Sequence, residues 1–412
     1  MITVNEATSA GSVGGRYDPR FEKVAEEFVR NFEQRGEVGA SVCLNVEGQK
    51  VVDMWGGMRD PETGDAWQED TLSIVFSCTK AATALCAHML IERGLLDPHA
   101  KVTDYWPEFG QNGKENITVL MMLNHSSALP ALREPVKPGG YNDWDYMVER
   151  LAAEQPFWEP GTRNGYHMIS YGWTVGELVR RVSGKSLGAF FKDEVADPLG
   201  IDFWIGLPED KEPRVAKMIP FAPDASAVPT DFLKALMSDP TSIQYLSFLN
   251  SGGHQVDSRE AHAAEIGGGG GIANARALAG MFNPLANDGK AGSVELLSGD
   301  TIQRISAVSM ATQCDATLLI PTRFAQGFMV SMDNRARPTG DQETALLGRD
   351  AFGHVGAGGS IGFADPECRL GFGYSMTQMG AGLMLNERGQ SVVDAAYKSL
   401  GYRTNSPGFW VR

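Results

Sequence analysis

Apolar positions along this chain follow first a helical rhythm, then an alternating one, and the two exchange again later. Phe21, Val24, Phe28 and Phe32 fall on one face of a helix, which Asp18 can cap and whose first turn suits Pro19. The rhythm then changes to alternation through Val42, Leu44 and Val46, a turn at Glu47-Gly48, and Val51-Val52, which predicts a β-hairpin. A helix followed by an antiparallel hairpin argues against a doubly wound parallel sheet. The middle of the chain is helical in pattern. Ala81, Leu85, Met89 and Leu90 define one helix closed by Gly94, and Val175, Leu178, Val179 and Val182 another closed by Gly184. Positions 205–265, rich in Pro, Asp and Ser, read as loops and short helices. Extended pattern returns at Phe324 to Met332, His354 to Gly356, Ser360 to Phe363 and Leu370 to Tyr374, with a turn at Asp365-Pro366-Glu367, before a last amphipathic helix from Ser391 to Leu400. Strands at both ends and helices between them predict an α/β fold of the α+β type: an antiparallel sheet built from both termini, flanked by helices, with a mostly helical domain inserted. The expected division is 1–75 with 285–412 for the sheet domain and 76–284 for the helical one, with the active site between them. No internal repeat is visible.

Composition narrows this picture modestly. The 412 residues carry 36 basic and 51 acidic side chains, a net charge of −15, which argues against a nucleic-acid surface. Positions 1–15 lack a basic start and an apolar core, and no apolar run approaches the ~18 residues that span a bilayer, so neither a secretory signal nor a membrane segment is expected. Five dispersed cysteines, Cys43, Cys78, Cys86, Cys314 and Cys368, form no C-x-x-C, so disulfides and structural zinc are not expected and a reduced, cytoplasmic setting is. Glycine is in excess, at 48 residues, against roughly 7% in ordinary proteins. It gathers at helix ends, at Gly267 to Gly271 and most densely between Gly353 and Gly362.

Three stretches carry candidate chemistry. Ser77-Cys78-Thr79-Lys80 follows an extended run and opens a helix, and it is the chain's single S-x-x-K. Residues three apart share a helix face, so the Lys80 amine can reach the Ser77 hydroxyl. A serine needs a base to act as a nucleophile, and a lysine serves as one only when its pKa is depressed. The bland alternative is a capping serine beside a solvated lysine. Tyr166, in Tyr166-His167-Met168-Ile169-Ser170-Tyr171-Gly172, stands on a loop before a helix, as a proton relay or, with Tyr171, as a core aromatic. Gly353 to Gly362 reads as a strand against whose backbone a substrate could lie. Its Gly358-Gly359-Ser360-Ile361-Gly362 matches G-x-S-x-G formally, but extended sequence follows and no histidine lies downstream, so Ser360 is rejected as a nucleophile. Gly267 to Gly271 lacks the G-K-[ST] ending of a phosphate loop and reads as a tight turn before a helix from Ala273 to Phe282. His254 and His262 have no ligand spacing, and His125 reads as a turn residue, so no metal is expected.

Taken in order, these stretches resemble the serine β-lactamase and penicillin-binding-protein superfamily, and among its members class C β-lactamases and family VIII carboxylesterases. The likeness runs over nearly the whole chain. It includes Ser77-Cys78-Thr79-Lys80, Leu123-Asn124-His125-Ser126-Ser127-Ala128-Leu129-Pro130, Pro160-Gly161, Tyr166-His167-Met168, Gly268 to Ala273, His354-Val355-Gly356 and Gly362-Phe363-Ala364-Asp365-Pro366. The resemblance implies Ser77 as the acylated nucleophile, Lys80 as base or base helper and Tyr166 as proton shuttle. It implies the N–H groups of Ser77 and Ala357 as an oxyanion hole, and His354-Val355-Gly356 in place of a Lys-Thr-Gly strand. It implies no metal and no organic cofactor.

Two departures shape the expected substrate. Met168 stands where the resembled β-lactamases carry a substrate-binding asparagine, and His354 replaces a cation with a largely neutral imidazole. Both favour simple esters over β-lactams, so a small-molecule carboxylic ester is the expected substrate. A β-lactamase, amide hydrolase or acyltransferase on the same residues is the second reading, and a non-catalytic scaffold the third. Phe157, Trp158 and Trp173, close to Tyr166 in sequence, are expected to line the pocket.

Overall fold

The computed structural model describes residues 1–222 and 228–412. An eleven-stranded antiparallel sheet organises it. From one edge its order is Ile2–Thr8, Gly11–Tyr17, Gln49–Asp60, Gly39–Val46, Leu370–Met376, Ile361–Asp365, Phe352–Val355, Met329–Val330, Thr322–Phe324 and Met310–Thr312, with Asp65–Ala66 pairing on Gln49–Asp60. The two chain ends meet where Gly39–Val46 pairs with Leu370–Met376, Val42 lying opposite Tyr374. The sheet from both termini is therefore as the sequence predicts.

The expected hairpin forms as Gly39–Val46 and Gln49–Asp60. Glu47 and Gly48 both take positive φ, 51° and 78°, the conformation a tight two-residue hairpin turn requires. Asp18 caps a short 3-10 turn, Pro19–Phe21, which runs into the helix Glu22–Gln34. That helix and the C-terminal one, Glu387–Ser399, cover one face of the sheet, where Phe28, Phe32, Val392 and Ala396 join Leu44, Phe363 and Phe372 in one core.

Ala275–Ala286 covers the other face. It sits so close that a Cβ at Gly373 would stand 2.2 Å from the Ala275 carbonyl oxygen, and one at Gly371 2.8 Å from the Asn283 nitrogen. Beyond it stands the helix Cys78–Glu92, in which every residue from Cys78 to Leu90 is buried. The one-sided apolar pattern expected there is, in fact, a helix enclosed on all sides. Residues 205–265 form short helices, Asp231–Ser238, Ile243–Phe248 and Arg259–Ala263, and connecting loops; positions 223–227 of that stretch lie outside the described residues.

Three expectations need correction. The chain opens with a β-hairpin, Ile2–Thr8 and Gly11–Tyr17, ahead of the helix. Of its strand residues only Val4 and Val13 are buried, so no alternating apolar signal marks it. The extended run Phe324 to Met332 is broken by a turn at Gln326-Gly327, closed by the Ala325 N–H donating to the Phe328 carbonyl at 2.8 Å. The last helix starts at Glu387, capped by the Asn386 side chain, four residues before the apolar pattern begins. The five cysteines are unpaired. Among the described residues no helix is long and apolar enough to cross a membrane.

Candidate active site

Ser77 sits at a break in the backbone. The strand Ser73–Phe76 ends at Phe76, whose φ of 44° is strained for a bulky side chain, and the helix begins at Cys78. Thr79 Oγ1 donates to the Phe76 carbonyl at 2.5 Å and accepts from Gly271 N–H at 2.8 Å, which pins the turn. Ser77 is half-buried and faces a cleft of about 480 Å3, while Cys78, Thr79 and Lys80 behind it are buried.

Lys80 has no carboxylate partner among the described residues. Its Nζ donates to the carbonyls of Met168 and Gly268, each at 2.5 Å, and lies 2.9 Å from Ser77 Oγ. It also stands 4.7 Å from the centre of the Tyr166 ring. Burial holds its pKa well below that of a free lysine, outweighing an opposing pull from Cys78. A neutral amine here keeps two N–H groups for the two carbonyls and directs its lone pair at the Ser77 hydroxyl. That is the geometry of a general base on a serine nucleophile.

Tyr166 enters from the loop before the helix Tyr171–Ser183. Burial raises its phenol pKa, and a hydrogen bond with the Ser77 side chain opposes the rise. The loop is clamped from two sides. The Asp315 carboxylate accepts from the Tyr166 N–H at 2.9 Å, from Asn164 Nδ2 at 2.9 Å and from the N–H groups of Thr317 and Leu318 at 2.8 and 2.9 Å. It is fully buried, and burial raises its pKa against those donors. On the other side His167 Nε2 meets Ser127 Oγ at 2.9 Å and the Leu129 N–H at 3.1 Å, and the His167 N–H donates to His125 Nδ1 at 3.1 Å. Burial pushes the His167 pKa down to about 3 and that of His125 well below normal, so these rings are neutral struts. Asp315 and the Gly268 carbonyl were not singled out in the sequence. Asp315 with Thr317 carries only the pattern of a local side-chain turn, and nothing in it points to Tyr166, 149 residues away.

The structure brings Ser77, Tyr166, Met168 and Ala357 onto one cleft, with Lys80 beneath. Among the described residues, the backbone N–H groups of Ser77 and Ala357 have no protein acceptor, so both are free to receive an oxyanion. His354 lies just under the surface, 2% exposed, with its Nε2 buried and unpartnered. Burial, reinforced by Lys80, lowers its pKa to about 3, so it carries no charge at neutral pH. Gly356 packs inward, where a Cβ would stand 2.1 Å from Ser360 Oγ and 2.3 Å from the Val75 carbonyl.

Two sequence expectations fail. The glycines of Gly353 to Gly362 serve packing rather than approach to a substrate: Gly353 accommodates the neighbouring strand and Gly362 the Phe282 ring, and neither lines the cleft. Nor do Phe157, Trp158 or Trp173 line it. Trp173 is a core residue whose ring is tilted against Tyr141, Phe157 lies under Arg133, and the Trp158 indole donates to the Arg163 carbonyl. Ser360 is fully buried and donates to the Val75 carbonyl at 3.1 Å, in line with its rejection. No group of three or more His, Cys, Asp or Glu among the described residues is placed to hold a metal.

Comparison with known proteins places the chain in a family. A family model described as Beta-lactamase matches residues 22–397. The esterase/beta-lactamase LipL of Mycobacterium tuberculosis (strain ATCC 25618 / H37Rv) is 35% identical over 377 residues, covering 90% of this chain and 84% of its own. The crystal structure of a family VIII carboxylesterase superposes with a TM-score of 0.82 at 37% identity, over 94% of this chain and 99% of the other. A penicillin-binding protein homologue from Caulobacter crescentus gives 0.82 at 33% identity, over the same shares. Nearly the full length of the chain is matched in both sequence and fold: it belongs to the β-lactamase family.

Proposed function

We propose that this protein is a carboxylesterase that cleaves small carboxylic esters through an acyl-serine intermediate. The observation that carries the reading is the buried Lys80, without a carboxylate partner among the described residues and with its amine 2.9 Å from Ser77 Oγ. Lys80 takes the Ser77 proton as Oγ attacks the ester carbonyl carbon. The Ser77 and Ala357 N–H groups receive the negative oxygen, and Tyr166 passes a proton to the departing alkoxide. Water then attacks the acyl-serine, with the proton transfers reversed, and releases the acid. Supporting relatives include the esterase/beta-lactamase LipL and the family VIII carboxylesterase. Met168 offers the cleft a thioether, and the neutral His354 ring is buried beneath the surface, so neither supplies the amide or cation that would hold a carboxylate-bearing β-lactam. We place the site at the seam of a sheet unit, 1–75 with 285–412, and a helical unit, 76–284. The seam is supported by Ser77 and Lys80 standing at the start of Cys78–Glu92 while Ala357 follows the strand Phe352–Val355. Five unpaired cysteines suit a reducing, cytoplasmic setting.

The test is hydrolysis of p-nitrophenyl acetate and of a chromogenic cephalosporin by the native enzyme and Ser77→Ala. The reading expects ester turnover to exceed cephalosporin turnover in kcat/KM and to vanish in the variant. Full ester activity in Ser77→Ala, or a strong preference for the cephalosporin, overturns it.

A further inference from the structure

We infer that the substrate is an uncharged ester carrying one apolar arm of medium length, held along a wall of the cleft formed by Met218, Phe221 and residues 247–266 and closed at its end by Tyr141. This rests on the reading of Ser77 as the acylated nucleophile. It adds what the ester must look like beyond the reacting carbonyl.

The cleft of about 480 Å3 is large for a small ester and of the size that encloses a ligand. Among the described residues lining it there is no Asp, Glu, Lys or Arg. Ile74, Ile169, Met218, Val256 and Ile266 make its interior apolar. Phe221, Phe248 and Leu249 stand at its mouth with 43%, 48% and 44% of their surface exposed. Large apolar side chains left in water at the rim of an apolar cleft mark where an apolar ligand completes the burial.

The two histidines on the wall do not reverse this. Burial holds the His254 pKa below normal, so that ring is neutral. His262 is 4% exposed and directs its ring nitrogens outward, Nδ1 at 2.7 Å from Glu212 and Nε2 at 3.6 Å from Asp257. Burial works against its charge, but Asp257 and Glu212 outweigh burial and raise its pKa. Any charge on His262 is thus neutralised away from the cleft, in a cluster that Arg259 completes at 2.9 Å from Glu212. A carboxylate entering the cleft would lose its water and find no cation.

Tyr141 sets the depth. Its ring leans on Trp173 and His254, with centroids 5.1 and 5.4 Å away, and its hydroxyl donates to the Asn250 carbonyl at 3.3 Å. Behind Tyr141, Ile169 and Ser247, which line both spaces, lies a void of only about 10 Å3, too small for a chain segment.

The experiment is kcat/KM across two neutral series, p-nitrophenyl esters from acetate to decanoate and acetates of straight-chain alcohols, with Ser77→Ala as control. In one of the two series kcat/KM should rise two- to fourfold per methylene, as expected for ~0.8 kcal/mol per buried CH2, and then level off. The series that rises identifies whether the acyl or the alcohol arm occupies the wall. A p-nitrophenyl monoester of adipic acid, with a terminal carboxylate, should be at least about 100-fold poorer than the hexanoate. Phe248→Ser, at the exposed mouth, should flatten the rising series, and Tyr141→Ala should move its plateau to longer chains. Two flat series, or equal turnover of the adipate and the hexanoate, with activity still dependent on Ser77, overturns this inference and leaves the nucleophile standing. Activity that survives in Ser77→Ala instead overturns the nucleophile.

Discussion

The two walls of the cleft are built in opposite ways. On one side Ser77, Lys80 and Tyr166 form a polar corner whose members are locked by short hydrogen bonds from buried backbone and buried side chains. On the other, Met218, Phe221 and residues 247–266 supply an apolar surface from short helices and loops, part of which remains in solvent. The contrast separates two tasks. The corner must hold a base and a nucleophile within a few tenths of an ångström, because proton transfer and attack depend steeply on geometry. The far wall has only to exclude water and fit a shape, which short segments with few internal constraints can do.

If that division is right, substitutions in the corner change chemistry and substitutions in the wall change choice of substrate. Replacing Lys80 by methionine, which fills the same buried space without an amine, should lower kcat on p-nitrophenyl acetate by roughly 10^2–10^4-fold, the usual worth of a positioned base, while the circular dichroism spectrum stays native. A loss below tenfold would mean the base is elsewhere.

Asp315 tests whether the corner depends on its clamp. In Asp315→Asn one accepting oxygen becomes an NH2 that faces the donors of Asn164 and Thr322. The Tyr166 loop should loosen, kcat should fall by about 10–100-fold with KM nearly unchanged, and Tm should drop, since an unsatisfied buried donor costs ~1–3 kcal/mol. A fall in Tm without a fall in kcat would make Asp315 purely structural.

The pH dependence follows from the direction of the Lys80 shift. The neutral amine is the working form, so activity is lost as pH falls through the depressed pKa, and the ascending limb of kcat/KM should lie well below 10.5. The same shift acts on stability. Between the folded value and 10.5 the unfolded chain holds a proton on this amine that the folded chain does not, so this residue makes stability rise with pH across that window. Denaturant titrations of the native protein and Lys80→Met should differ in that slope. His354 and His167, held near 3, do not titrate there.

The smallest expected effect lies where the two walls meet. Met168 gives its carbonyl to Lys80 and its side chain to the cleft. Met168→Asn should leave the carbonyl in place and shift the cephalosporin-to-ester ratio of kcat/KM by no more than about tenfold. A change of several orders of magnitude would show that one side chain, and not the uncharged wall, sets the preference for esters.

The same contrast explains what could be read without coordinates. Ser77 and Lys80 are legible because three residues of one helix bring them together, and the hairpin Gly39–Val46 with Gln49–Asp60 because alternation and a Glu-Gly turn coincide. Asp315 and the Gly268 carbonyl are illegible because their partners lie 149 and 188 residues away and no local period records that. The first hairpin is missed because its edge strands bury one residue each. The wall of Met218, Phe221 and residues 247–266 is missed because its apolar residues follow neither a helical nor a strand period, and proximity to Tyr166 in sequence points instead to Phe157, Trp158 and Trp173, none of which lines the cleft. The glycine cluster was legible as a requirement for close approach, but the approaching body is the Phe282 ring and a neighbouring strand, not a ligand.

The polar corner works only if Ser77 is the group that becomes acylated. Treating the intact protein with a fluorophosphonate and mapping the product by peptide mass spectrometry tests it most directly. One adduct per chain is expected, on the peptide carrying Ser77, formed in step with loss of esterase activity and absent from Ser77→Ala. An adduct on Ser360, or full inactivation with Ser77 unmodified, would contradict it.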